Sequence, residues 1–322
     1  MDTISNYTKS GNHRFPKRPE LHTIPPEYTW AEPSNYGGCP LKFMAGETRH
    51  ASGSPNPNYQ VVDLDCETSF KLVPFSKTPA AVAVTGLCGC TSIIIVSRRG
   101  AWANHIWEEP SMISVVDTDY EAEEFDPGYT TRREASAKEQ FPIFKREVLD
   151  TLLQLKDLRN NWDSSDPAAI SSLFSDDAHP NIYIFGPYGW HQSKKSREEL
   201  QPCPKGTPMQ YEEYNDMMKK KLWEIFGPSV PIKVIPYTQR QHIDGDDGDA
   251  GDVEFRSHEG KVLVQYRPAI LCKWRDVHSK KYDAAWRIWF EGRLEQQHNW
   301  EPMGEFQISD FTPEGPRAAT RS

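Results

Sequence analysis

Residues 87–107 read LCGCTSIIIVSRRGAWANHIW and bring two cysteines, a glycine-bounded turn and a histidine into one short stretch. A free thiol with a pKa near ~8.5 is only a few per cent thiolate at neutral pH. A nucleophilic cysteine therefore needs a neighbour that takes its proton. An imidazolium beside the sulfur lowers the thiol pKa, and the same ring can then protonate a leaving group. Ammonia leaves an amide poorly without that proton, and the oxyanion that develops needs aimed N–H donors. Cys90 is the candidate nucleophile and His105 its base. The backbone N–H groups of Cys90 and Thr91 are the candidate oxyanion donors.

The elements around these residues must bring them together. Gly86 and Gly89 bracket Cys88, and Gly89 precedes Cys90, which lets the chain turn tightly and leaves space around a sulfur. Residues 92–97 read as a strand and 101–107 as its antiparallel partner. Arg98-Arg99-Gly100 is expected as a three-residue loop with Gly100 left-handed. That loop sets His105 opposite Ile93, so a bend or bulge at Gly89-Cys90 is needed to close the gap to the thiol.

Plainer readings compete. Cysteine is among the most buried residue types, and a Gly/Ala/Cys turn can be tight packing alone. Cys88 is either a resolving thiol or a packing residue. Cys88, Cys90 and His105 as a metal set have a tighter Cys-x-Cys spacing than zinc sites use and lack an obvious fourth ligand. The acidic run DGDDGDAGDVE, aligned with Gly248 at position six and Glu254 at twelve of a calcium loop, places Ile243 and Gly245 at positions one and three. The EF-hand pattern fails there, and a solvated loop is expected. No cofactor or metal is expected.

The rest of the chain reads as α+β. Residues 1–55, rich in Pro, Ser, Asn and Gly, are expected to be a largely irregular arm, with Trp30 and Tyr36 docking on the core. Residues 56–305 form one domain with an acidic loop insert around 118–139, and 306–322 form a tail. Short β-rich runs appear at YQVVDLDC, KLVPF, AAVAV, SIIIVS, NIYIFGPYG, VPIKVIPY, GKVLVQYRPAI and DAAWRIWFEGRLE, the last two as an antiparallel pair. The spacing predicts a helix over 141–162, with Phe144, Val148, Leu152 and Leu155 on one face. A second helix is predicted over 209–227, with Tyr211, Tyr214, Met218, Leu222 and Ile225 at helical spacing and Gly227 as its C-cap.

A net charge of -9 over 322 residues argues against a nucleic-acid partner, since phosphate contacts need clustered Lys and Arg. No apolar run approaches the ~18 residues of a membrane span. The first residues lack an apolar signal region, so a cytoplasmic protein with reduced thiols is expected, with non-classical export also compatible.

The stretch GCTSIIIV, a turn and a histidine on the returning strand resemble the catalytic domain of the cytotoxic necrotizing factors, toxins that deamidate a glutamine of Rho GTPases. Bacterial chemoreceptor glutamine deamidases are similar. The resemblance is specific over about twenty residues. It implies a β-sandwich-like core of mostly antiparallel strands flanked by helices, a Cys90–His105 pair, and a protein substrate carrying a reactive glutamine, with a small GTPase suggested by the resemblance alone. With an amine in place of water the reaction would be transglutamination. In those families the histidine is oriented by a backbone carbonyl upstream of the cysteine or by a threonine; here the VVDLD segment, with Asp63 or Asp65, is the expected region. The toxin motif has no counterpart to Cys88. Two other classes remain open on the residues: a non-catalytic interaction protein retaining the fold, and a Cys–His hydrolase acting on a small-molecule amide or ester.

Overall fold

The computed structural model describes residues 30–62, 68–118, 131–160, 173–188, 208–239, 258–273 and 280–301. Asp63 and Asp65, the acidic run at 244–254, and the tail lie outside the described residues. Twelve strands and five α-helices are present among the described residues.

Two five-stranded sheets face each other. One has the order β1 (Tyr59–Val61), β3 (Ala80–Val84), β10 (Val262–Lys273), β11 (Lys280–Phe290), β12 (Arg293–Trp300). The other runs β2 (Ser69–Pro74), β5 (Gly100–His105), β4 (Ser92–Val96), β8 (Asn181–Pro187), β9 (Ile232–Tyr237). Each contains one parallel pair, β1 with β3 and β8 with β9, and is otherwise antiparallel. The fold class is therefore α+β, a sandwich of mostly antiparallel strands flanked by helices.

Every residue of β3 and β4 is buried, because these inner strands are covered on both faces. Alternation sorts the side chains. Val82, Val84, Ile94, Val96, Ala101, Ala103, Val264, Trp286 and Ile288 fill the space between the sheets. Ile93, Ile95 and Trp102 point outward to the helices. There α2 (Ala137–Phe144), a π-turn at Lys145–Leu149, α3 (Asp150–Leu153) and α4 (Leu155–Asn160) follow one another. Phe144, Val148, Leu152 and Leu155 are all buried, as their spacing requires, together with Met218, Leu222 and Ile225 of α5 (Glu212–Phe226). Gly227 caps α5 at φ 90°.

The sequence reading is corrected in three places. Residues 40–53 are a helix, α1 (Pro40–Gly53), opened by Pro40 at its first position. Its Phe43 and Met44 cover the outer face of β3 and β10, where Ala81 and Ala83 leave room for it. Trp30 and Tyr36 are buried, as expected of docking aromatics. The 283–295 run is two strands, broken at Glu291 and Gly292, which both take positive φ in a two-residue hairpin. The flanks of the 118–139 insert are ordered: β6 (Val115–Thr118) pairs with β7 (Thr131–Glu134), and residues 119–130 lie outside the described residues. No helix among the described residues is long and apolar enough to cross a membrane.

Candidate functional site

The hairpin that carries the candidate residues closes more tightly than its sequence suggests. The Ser97 N–H donates to the Gly100 carbonyl at 2.9 Å, so the loop is the two residues Arg98-Arg99. Gly100 is not left-handed but begins β5, where a Cβ would lie 3.1 Å from the Val73 carbonyl oxygen. The register runs from Val96↔Ala101 through Ile94↔Ala103 to the bridge Thr91↔Ile106. This puts His105 opposite Ser92 rather than Ile93, and Cys90 one pair beyond Thr91. The change of one residue matters because it moves a side chain to the other face of the sheet. Opposite Ile93, the imidazole would point at the helices. Opposite Ser92, it shares the inter-sheet face with Cys90 and Ala103.

Asn104 interrupts the ladder beside this pair. Its Oδ1 accepts the Ile93 N–H at 2.6 Å, and its carbonyl accepts the Ser92 hydroxyl at 2.6 Å. The Thr91 N–H donates to the Ile106 carbonyl at 2.9 Å and is therefore spent, which removes it as an oxyanion donor. The Cys90 N–H stays outside the ladder, and the Cys90 carbonyl is pinned by the Tyr237 hydroxyl at 2.6 Å.

Cys90 is 5% exposed and His105 is fully enclosed. Burial pushes the Cys90 thiol up to about 12; the neighbouring Glu108 and Cys88 push the same way, and the backbone N–H groups of Glu108 and Gly89 offset this in part. Burial pushes His105 down to about 4, against the Gly86 carbonyl, which favours the protonated ring. That carbonyl does not reach regular hydrogen-bond geometry, and neither ring nitrogen has a partner among the described residues. Trp107 packs edge-on against the imidazole at 4.8 Å between centroids. At rest the thiol and the imidazole, on one face of the sheet, are thus both neutral. The thiolate–imidazolium pair expected from the sequence is disfavoured because two buried charges would be poorly solvated.

Glu108, which the sequence reading missed, organises the rim of the site. Its Oε1 accepts from the Tyr211 hydroxyl at 2.6 Å and from Gln210 Nε2 at 3.1 Å. Gln239 Nε2 lies 3.3 Å from both carboxylate oxygens. The partners come from the start of α5 and the end of β9, far away in sequence. The only local signal was an acidic pair directly after the histidine strand, at Glu108-Glu109.

Gly89 is the residue that admits this carboxylate. A Cβ there would lie 2.4 Å from Glu108 Oε2 and 2.5 Å from Gln239 Nε2. Gly89→Ala is expected to cost about 1 kcal/mol, by displacing the Glu108 and Gln239 side-chain ends from each other, and to cost measurably less in a Glu108→Ala background. Urea unfolding of the four proteins in this cycle checks it; equal costs in both backgrounds would show that the glycine is needed for another reason.

Cys88 is half-buried and lies near Cys90. Among the described residues no three His, Cys, Asp or Glu side chains gather as a metal-ligand set. His298 stacks on Trp286 and Trp300 and accepts from Arg98 Nε at 3.5 Å, near the hairpin loop. Compared with known proteins, the chain matches no protein-family model and no curated protein.

Proposed function

We propose that the chain is a cysteine-dependent amidohydrolase of the glutamine-deamidase type, with Cys90 as nucleophile and His105 as general base and acid. One observation carries the reading. A fully enclosed imidazole with both nitrogens unpartnered among the described residues lies on the same sheet face as the thiol. Buried polar atoms left without partners are rare and costly in a purely structural role.

The neutral pair fits general-base rather than ion-pair catalysis. As Sγ attacks the carboxamide carbon, His105 takes the thiol proton and a C–S bond forms. The Cys90 N–H is available to the oxyanion. His105 then hands the proton to the departing nitrogen, the C–N bond breaks and ammonia leaves. Water, deprotonated by His105, attacks the thioester carbon; the C–O bond forms, the C–S bond breaks and the sulfur recovers its proton. No hydrogen bond joins Cys90 to His105 at rest, and catalytic contacts of this kind tighten in the substrate complex. The Gly86 carbonyl, upstream of the cysteine and favouring the protonated ring, is the group proposed to orient His105 when the contact tightens, the role that the toxin resemblance gives to a backbone carbonyl. A glutamine on a protein is the proposed substrate, and a small GTPase is proposed from the resemblance alone.

A second reading, a non-catalytic interaction protein with this fold, draws on the same burial of Cys90 and its raised pKa. Incubation with p-nitrophenyl acetate, followed by intact-mass analysis and peptide mapping, separates the two. The enzyme reading expects one acetyl group on Cys90 of the folded protein, absent from Cys90→Ser, with Cys39 and Cys88 modified more slowly. No acetylation of Cys90 at any pH where the protein stays folded would sink the enzyme reading in favour of the second.

A further inference from the structure

We infer that Tyr237 is a positioning residue for the Cys90 N–H, the oxyanion donor of the proposed reaction, an inference that rests on the reading of Cys90 as nucleophile. Strand geometry explains why that N–H is spare. Thr91 turns its N–H and its carbonyl to Ile106 on β5, at 2.9 and 2.8 Å. Cys90, one residue earlier, therefore turns both of its own toward β8. Continuing the register beyond Ser92↔Phe185 makes Pro187 the residue of β8 that faces it.

An ordinary residue at 187 would exchange two hydrogen bonds with Cys90. Among the described residues neither forms. Proline has no N–H to give the Cys90 carbonyl. The Pro187 carbonyl, which would accept the Cys90 N–H, accepts from the Gln210 N–H at 3.0 Å instead. A buried carbonyl left without a donor is costly. Tyr237, paired with Pro187 on β9, reaches across the proline and supplies that donor from its hydroxyl at 2.6 Å. Its ring is buried and packs edge-on against Phe290 at 6.1 Å between centroids. Burial pushes the hydroxyl well above the ordinary phenol range, so it remains a donor through neutral pH.

The Cys90–Thr91 peptide is thereby held from both sides, by Ile106 on one and Tyr237 on the other. With that plane fixed, the Cα that carries both the Cys90 nitrogen and its thiol is fixed too. During acylation the thiol proton passes to His105, the C–S bond forms and the carbonyl pair moves onto the oxygen. The N–H must meet that oxygen as the charge appears, and a misplacement of ~1 Å can cost ~10²-fold in rate.

Two reagents that attack the same thiol of the full chain test this. p-Nitrophenyl acetate acylates Cys90 through an oxyanion and releases p-nitrophenolate. Iodoacetamide alkylates it by displacing iodide from a saturated carbon, and no oxyanion forms. Tyr237→Phe removes the hydroxyl and keeps the ring. Its acylation rate is expected to fall ~10–100-fold while its alkylation rate stays within about twofold of wild type. Pro187→Ala places an N–H beside the Cys90 carbonyl. Added to Tyr237→Phe, it is expected to recover part of the acylation rate and of any stability lost with the hydroxyl. An unchanged ratio of the two rates in Tyr237→Phe, an equal fall in both, or a double variant without recovery overturns the positioning role while leaving the nucleophile in place. A wild-type chain that takes no acetyl group on Cys90 overturns the nucleophile, and the positioning role with it.

Discussion

His105→Ala is expected to slow acylation of Cys90 at pH 7 by ~10²–10⁴-fold, the range that a positioned general base supplies. With the Cys90 thiol held up to about 12, spontaneous ionisation leaves a thiolate fraction of only about 10⁻⁵ at pH 7. The wild-type chain escapes this limit because the imidazole, with its pKa pushed down to about 4, is in its basic form throughout the neutral range. Its acylation rate should therefore rise near pH 4 and stay level through neutrality. In His105→Ala the rate should instead climb about tenfold per pH unit, following free thiolate. Stopped-flow release of p-nitrophenolate between pH 5 and 9 measures both slopes. A wild-type rate that rises tenfold per unit through neutrality would remove His105 from the mechanism.

The same shift has a stability consequence of definite sign. His105 has an ordinary pKa of 6.5 unfolded and about 4 folded. Its contribution is complete above pH 6.5 and is lost as pH falls from 6.5 toward 4, roughly 3 kcal/mol in all. Urea midpoints of wild type at pH 7 and 4.5 should diverge by more than those of His105→Ala. Equal divergence would mean that the buried ring is not the acid-sensitive group.

Arg287→Ala is expected to destabilise the fold by about 3 kcal/mol, through lost packing and stranded polar partners rather than through loss of one ion pair. Arg287 is 2% exposed on β11, on the face that α1 covers. Its Nε donates to Gln265 Oε1 at 2.9 Å, its Nη1 to Glu32 Oε1 at 2.9 Å, and its Nη2 to the Ala31 carbonyl. The guanidinium also lies 4.1 Å from the Trp30 ring centroid and 4.9 Å from that of Trp289. Gln265 extends the network to Glu47 of α1 at 2.9 Å, which accepts in turn from Tyr36 at 2.7 Å. The segment from Trp30 to Tyr36 is thus tied to the sheet by Arg287, with Arg267 also 5.2 Å from the Trp30 ring centroid. Loss of Arg287 should release it to proteolysis before global unfolding, whereas Arg287→Met, which keeps the stem, should cost less. Urea unfolding and limited proteolysis check this; a cost under about 1 kcal/mol would show that the segment is held by its aromatic contacts alone.

What the sequence by itself determined was local. The face Phe144, Val148, Leu152, Leu155 and the end of α5 at Gly227 were legible because helix periodicity and capping act over a few residues. The β-rich runs at 80–84, 92–96 and 181–187 were legible for the same reason, as were Cys90 and His105 as chemically notable residues. Helix α1 was hidden because its Pro, Gly and Ser content resembles loop, and its burial comes from the remote strands β3 and β10. Three features of the site were decided by the tertiary structure alone. The hydrogen bond between Ser97 and Gly100 shortened the hairpin loop by one residue and so chose which face of the sheet the imidazole shares. Burial between the two sheets reversed the expected charge state of the pair, because desolvation depends on everything packed around a group and not on its neighbours in the chain. Glu108 met Gln210, Tyr211 and Gln239 only when α5 and β9 closed over the end of the sheet, and no spacing in a sequence encodes contacts made across such distances.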